Sequence, residues 1–360
     1  MSNNETSYKD LIAFHPGSYI EEIIEDLNIT QKEFAERLGV SPKMISKLVN
    51  AEESISKETA NKLAKVTGIS ISTWLKLQNT YDIKVIEIEE QQKQDEVSIC
   101  EMIDFKYFKQ NGFVENKTYS VKEKIVELRK LLRIASLSYL NEFNNAVSYR
   151  NTKGFSEEKN IVNSNVVLEL ATNNSRNITD NKLNKARLEK KLPEIRKMTL
   201  QDPGKFYPEL KEMLLECGII LYGMPKLTNA YLNGATKKFQ NGSVLLLITD
   251  RNKSSDIFWF SLFHELGHIL NNDFYSNHED KEAYKAKEEN ADLFARNILL
   301  PQDKYLEFID MGRYTEETIK SFAIEMKIHP SIIVGRLQND KKIERNMYNY
   351  FKINYNICLK

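Results

Sequence analysis

The stretch 259-WFSLFHELGHILNN-272 decides how the C-terminal half of the chain is read. It carries two histidines four residues apart, with a glutamate directly after the first. A helix places residues four apart on one face, so His264 and His268 can aim imidazole nitrogens at one point. Zinc accepts neutral imidazole at about 2.0–2.1 Å, which suits such a pair. Glu265 projects beside that face, within reach of a water acidified by a metal, and a carboxylate can take that proton. Gly267, inside the same helix, costs roughly 1 kcal/mol relative to alanine. That cost is understandable if another backbone has to come close there. Taken alone, an HExxH is also compatible with two satisfied core histidines, so its surroundings decide.

A catalytic zinc site needs a third protein ligand and an open fourth position. The metzincin spacing HExxHxxGxxH fails, because Asn271 and Phe274 stand at its last two positions. The alternative is a His₂Glu set completed by a glutamate on a later helix. The segment 287-KEENADLFARNILLP-301 offers Glu288 and Glu289. Glu288 is preferred because Asp292 lies four residues on, on the same helical face, where it can accept the outer N–H of a ligand histidine. Glu289 is the alternative ligand. Ala291, Phe294, Ala295 and Ile298 form the apolar side of that helix. His329, just before Pro330, reads first as the cap of a helix start and second as a stabiliser of a tetrahedral oxyanion.

Bulk properties narrow the classes. The chain has 360 residues, enough for two or three domains, with 28% charged and 41% hydrophobic residues. Lys+Arg and Asp+Glu are both 51, so the whole chain exerts no net pull on nucleic acid or an anionic membrane. The N-terminus lacks the pattern of a secretory signal, and the most apolar runs, 243-SVLLLIT-249 and 261-SLFHELGHIL-270, are too short to span a bilayer. Cys100, Cys217 and Cys358 lie far apart without a CxxC pair, which argues against a disulfide framework and a cysteine-zinc ribbon. A cytoplasmic location without membrane contact is expected.

The N-terminal part reads as a run of short helices. Ile20, Ile23, Ile24 and Leu27 form an apolar stripe. The segment 28-NITQKEFAERLGV-40 opens with a Thr30/Glu33 capping box and closes near Gly39. The next, 41-SPKMISKLVN-50, starts with Ser41 as cap and Pro42 at the first helical position. Ala35 lets two helices approach, while Val40, Ile45 and Leu48 fill the space between them. This is the sequence form of a helix-turn-helix. The exposed face of its second helix presents Ser41, Lys43, Ser46, Lys47 and Asn50, with groups suited to base edges and phosphates. Between His15 and Asp82 there are 8 Lys/Arg and 10 Asp/Glu, a balance of −2, so DNA binding requires the basic groups to be sorted to one face.

The remaining pattern is coarser. Residues 83–98 are charged and free of Gly and Pro, which predicts an exposed helix or linker. Val121 to Leu140 predicts one amphipathic helix, and the Asn-rich 163-NSNVVLELATNNSRNITDNK-182 predicts a loop. Three short runs, 218-GIILYGM-224, 229-NAYLNGATKKF-239 and 243-SVLLLITD-250, predict strands. Of these, 243-SVLLLIT-249 is expected to receive an extended substrate as an added strand, and 233-NGATKKF-239 to rim the cleft.

With these residues in place, two family resemblances become clear. Residues 15–82 resemble the HigA-type antitoxin branch of the XRE helix-turn-helix proteins. The blocks 258-FWFSLFHELGHIL-270, 287-KEENADLFARNILLP-301 and 328-IHPSIIVGRLQ-338 resemble the ImmA/IrrE zinc metallopeptidases. The region from about 150 to 190 is least like either. The resemblance implies a multidomain, mainly α protein: an N-terminal five-helix helix-turn-helix domain (1–82), a helical connecting region (83–195) and a C-terminal α+β, gluzincin-like domain with a small sheet (196–360). It also implies Zn²⁺ on His264, His268 and Glu288, with Glu265 as general base. Asn is also frequent in the family where this chain has Asp292.

Two functions follow as expectations. The first is a DNA-binding regulator or antitoxin whose zinc endopeptidase, narrow in specificity, cleaves one protein, a repressor or partner, in gene control, toxin–antitoxin pairing or phage defence. The second is a non-proteolytic antitoxin that represses its own promoter and neutralises a cognate toxin, the metal being structural or regulatory. The expected partners are operator DNA and a protein substrate or toxin. A homodimer on a palindromic site is the expected DNA-reading form.

Overall fold

The computed structural model describes residues 4–142, 158–274 and 281–359. The chain divides into two compact units, Met1–Val97 and Ser98–Lys360.

The first unit opens with a hairpin, β1 (Glu5–Tyr8) and β2 (Leu11–Phe14), paired antiparallel. Strands of four residues alternate too briefly to stand out in the sequence, and the hairpin is absent from the sequence reading. Helices α1 (Gly17–Asp26), α2 (Gln31–Leu38), α3 (Pro42–Val49), α4 (Lys57–Thr67) and α5 (Ile71–Met102) follow. Thr30, Ser41 and Ser56 cap α2, α3 and α4 with their side-chain oxygens, and Gly39 and Gly68 end α2 and α4 in the left-handed conformation. Ile20, Phe34, Ala35, Ile45, Leu48, Leu63 and Trp74 form the core. The charged residues 83–98 continue α5, and they are not exposed throughout, since Ile88 and Glu96 are buried. The last residues of α5 belong to the second unit.

The second unit contains α6 (Phe105–Gln110), α7 (Val121–Leu132), α8 (Tyr139–Glu142), α9 (Glu158–Ser175), α10 (Lys185–Lys197) and α11 (Pro203–Glu216). Strands β3 (Ile219–Met224), β4 (Gly234–Lys238) and β5 (Val244–Thr249) come next, and then α12 (Ser255–Asn271), α13 (Lys281–Leu299), α14 (Gln302–Asp310), α15 (Glu316–Met326) and α16 (Pro330–Asn339). The fold is mainly helical with one small sheet in this unit, as expected.

Three sequence expectations are corrected. The helix starting at Val121 stops at Leu132, where Arg133 takes a left-handed conformation. The Asn-rich stretch is not a loop through Ser175 but helix α9, buried along most of its length (positions 150–157 lie outside the described residues). Asparagine is a weak helix former because its amide competes for backbone groups. Here the amides serve other helices. Asn163 Nδ2 donates to Met102 O at the end of α5 (2.9 Å), Asn165 to Leu140 O in α8 (2.6 Å), and Asn173 to Leu132 O at the end of α7 (2.8 Å). Met102 and Leu132 are the last residues of their helices, so their carbonyls lack intrahelical partners, and α9 supplies the missing donors. Asn165→Ala is therefore expected to lower the stability of this unit by about 1–3 kcal/mol. Urea unfolding followed by far-UV circular dichroism measures this, and an unchanged midpoint would refute the assigned role.

The third correction concerns the sheet. Its order is β3-β5-β4, with β3 parallel and β4 antiparallel to β5. The strand 243-SVLLLIT-249 is thus central, paired on both sides, and has no free edge to receive a substrate. Val244, Leu246 and Ile248 join the core with Trp259, Leu262 and Leu266 of α12. Leu245 and Leu247 point the other way by the strand period and are equally buried. Lys237, opposite Leu245 in register, bonds Glu169 of α9 at 3.2 Å, which places α9 on that second face. The outer edge of the sheet beside α12 belongs to β4.

Candidate metal centre

Helix α12 lies on the sheet and is buried from Leu262 to Ile269. Its His264 and His268 Nε2 atoms approach to 3.0 Å. Glu288, on α13, brings Oε1 to 3.1 Å from His268 Nε2 and Oε2 to 3.4 Å from His264 Nε2. The three residues form a group whose ligand atoms all lie within 4.8 Å of one another. Donors at about 2.0–2.1 Å in a tetrahedral zinc site stand about 3.3 Å apart, so the observed spacing fits such an ion. Two imidazoles and one carboxylate are also the donor chemistry that zinc prefers.

His264 Nδ1 is 2.8 Å from Asp292 Oδ1. A carboxylate at this position can accept the Nδ1 proton, which would leave the Nε2 lone pair for the shared point. Among the described residues the buried His268 Nδ1 has no hydrogen-bond partner. Glu289 is 68% exposed on its side chain and faces Lys285 at 3.8 Å, outside the group.

Glu265 is fully buried beside the first residue of β4. A methyl group built on Gly234 would come within 2.9 Å of Glu265 Oε1 and 2.8 Å of its Cγ, so only glycine leaves the strand this close to the carboxylate. Gly234 lies in the stretch 233–239 expected to rim the cleft, but the need for glycine there depends on the strand order. Gly267 performs the service expected of it. A Cβ there would sit 3.3 Å from the Ala291 Cα of α13 and 3.0 Å from Phe294. This close crossing sets α13, and with it Glu288, against the histidines.

His329 is the N-cap of α16. Its Nδ1 accepts from Ser331 N (3.3 Å) and lies 2.9 Å from Ser331 Oγ. Burial pushes its pKa below the ordinary histidine value. The structure does not bring it into the His264–His268–Glu288 group.

In the first unit, Lys43 is exposed on α3, and Lys47 faces Glu53 at 3.3 Å. Asn50 Nδ2 donates to Ser46 O (2.8 Å), and Ser41 Oγ accepts from Met44 N. Among the five side chains predicted to read DNA, Lys43 is thus the one without a partner among the described residues.

A helix-turn-helix unit followed by a helical unit with an HExxH helix under a small sheet defines the class: a DNA-binding regulator fold carrying a peptidase-type domain. Residues 20–74 match the helix-turn-helix family, and residues 230–329 match the IrrE N-terminal-like domain, a peptidase family. Over 72 residues the chain is 35% identical to the uncharacterized HTH-type transcriptional regulator YddM of Escherichia coli K12, covering 20% of this chain and 77% of that protein. Among solved structures it is similar to a putative antidote protein of a plasmid maintenance system from Nostoc punctiforme (34% identity, 24% of this chain and 94% of the other, TM-score 0.23). It is also similar to an addiction module antidote protein of the HigA family from Coxiella burnetii (30%, 23% and 90%, TM-score 0.22). The chain belongs to the helix-turn-helix family through its N-terminal unit and carries an IrrE-like peptidase domain toward its C-terminus. Among the described residues no helix is long and apolar enough to cross a membrane.

Proposed function

We propose that this protein is a DNA-binding regulator, of antitoxin type, whose zinc endopeptidase domain cleaves one chosen protein, a repressor or a partner encoded near it. The observation that carries the reading is the convergence of His264, His268 and Glu288 on one point, with Glu265 buried alongside. A structural zinc site has no use for such a base, because its coordination is closed by protein ligands.

His264, His268 and Glu288 would hold the ion, and Asp292 would orient His264. Bound zinc would supply Lewis acidity to a water and to the substrate carbonyl. Glu265 would take the proton of the attacking water and return it to the leaving amine. The outer strand β4 would receive the substrate as an extended strand, its main chain running past Gly234 and so past Glu265. Incubating the zinc-loaded protein with the products of neighbouring genes tests this reading. Absence of zinc-dependent cleavage of any neighbour, or of the protein itself, would refute it.

On the DNA side, the unpaired Lys43 supports α3 as the reading helix. Lys43→Glu is expected to weaken binding to the upstream operator roughly tenfold, and Lys47→Glu by less, since Glu53 already faces Lys47. Mobility-shift titrations measure both. Equal affinity of Lys43→Glu and wild type would place DNA on another surface.

The helix-turn-helix unit, with its resemblance to HigA-type antitoxins over residues 15–82, supports a second reading, in which the chain represses its promoter and neutralises a toxin without cleaving it. Toxin neutralisation that survives Glu265→Gln unchanged would favour it.

A further inference from the structure

A cleft of about 720 Å³ opens where the end of α5, α6 and α7 meet, within the second unit. Lys106, Lys109 and Lys124 line it, with Phe105, Glu101 and Asp104. Among the described residues none of the three lysines stands in an ion pair. Lys109 Nζ donates only to Lys117 O, and Lys124 Nζ lies 5.8 Å above the Phe105 ring. Of the two carboxylates, Asp104 is engaged on both oxygens: Oδ1 accepts from Lys106 N and Oδ2 from Thr228 Oγ1, each at 3.1 Å. Three ammonium groups therefore stand against two carboxylates, Glu101 and Asp104, and both oxygens of Asp104 already accept hydrogen bonds. The volume is that of a small-molecule site, and clustered ammonium groups are suited to phosphate oxygens.

The same corner grips the loop that leads into β4. Besides the Asp104–Thr228 bond, Tyr107 OH donates to Pro225 O at 3.0 Å. Asn163 holds Met102 O, and its neighbour Ser164 accepts from Tyr231 N at 3.1 Å. Three residues beyond Tyr231 stands Gly234, against Glu265. We infer that the cleft is an effector site for a phosphate-bearing small molecule of nucleotide size, and that its occupancy is transmitted through the Asp104–Thr228 contact to β4. The consequence for cleavage rests on the peptidase reading above, whereas binding and the response of β4 do not.

Full-length protein is titrated calorimetrically with ATP and with inorganic pyrophosphate, without added magnesium, and with citrate as a carboxylate control. Saturable binding of ATP or pyrophosphate is expected, weakened at least about tenfold in the Lys106→Glu/Lys124→Glu double variant and in the milder Lys106→Ala/Lys124→Ala pair. Lys304→Glu, which alters a lysine paired with Glu307, should bind as wild type does. Hydrogen exchange across residues 234–238 should change on binding, and Thr228→Val should keep the affinity but lose that change. No saturable binding, or binding that survives both double variants, overturns the site. Citrate binding as tightly as pyrophosphate overturns the phosphate class, and unaltered exchange in wild-type β4 overturns the transmission.

Discussion

Glu265→Gln is expected to keep one metal ion per chain and to lose cleavage by about 10²–10⁴-fold, the usual contribution of a positioned general base. The carboxylate is fully buried beside Gly234, and glutamine fills the same space without accepting a proton. The ligand atoms on His264, His268 and Glu288 are untouched by the change. His268→Ala should behave differently, since it removes one of the three converging donors and with it stoichiometric zinc. Elemental analysis of the purified variants and gel assays on the neighbouring gene products separate the two effects. Wild-type cleavage rates in Glu265→Gln would exclude Glu265 as the base. Loss of metal in the same variant would mean that Glu265 helps to hold the ion.

Gly17→Ala should damage the other unit as severely. A Cβ at Gly17 would lie 1.9 Å from the backbone oxygen of Leu48 and 2.9 Å from His15 Nδ1. The first of these is main chain, which cannot turn aside as a long side chain can, so α1 must be displaced from α3. A loss on the order of 3 kcal/mol or more is expected, at the upper end for one methyl group. Operator binding should fall with it, while zinc content, which depends on residues of the second unit, should stay stoichiometric. Thermal unfolding and metal analysis of the same preparation test both statements. A variant melting within about 1 °C of wild type would show that α1 accommodates the methyl group at no cost.

The first unit was largely legible because its signals are local. Thr30 and Ser41 cap helices that begin right after them, and Gly39 ends a helix right before it. The grouping of His264, His268 and Glu288 was legible for a related reason: one helix turn aligns the histidines, and Asp292, one turn beyond Glu288, marked which glutamate faces them. What was missed depends on partners far along the chain. The asparagines of α9 look like loop formers until the carbonyls of Met102, Leu140 and Leu132 are found beside them. The hydrophobic run 244–249 identified a strand, but apolarity on both faces marks a central strand as readily as a substrate-binding one. Only the pairing of β5 with both β3 and β4 separates the two.

The position of α9 also governs how this protein can be dissected. The matched peptidase segment, 230–329, contains β4, β5 and the HExxH helix but neither β3 nor α9. A fragment trimmed to that segment would leave β5 with one open edge, and would turn Leu245 and Leu247 from dry interior into solvent-facing surface. Such a sheet is a template for aggregation. Fragments intended to isolate the peptidase-type domain should therefore begin upstream of α6, so that the helices whose ends α9 secures travel with it.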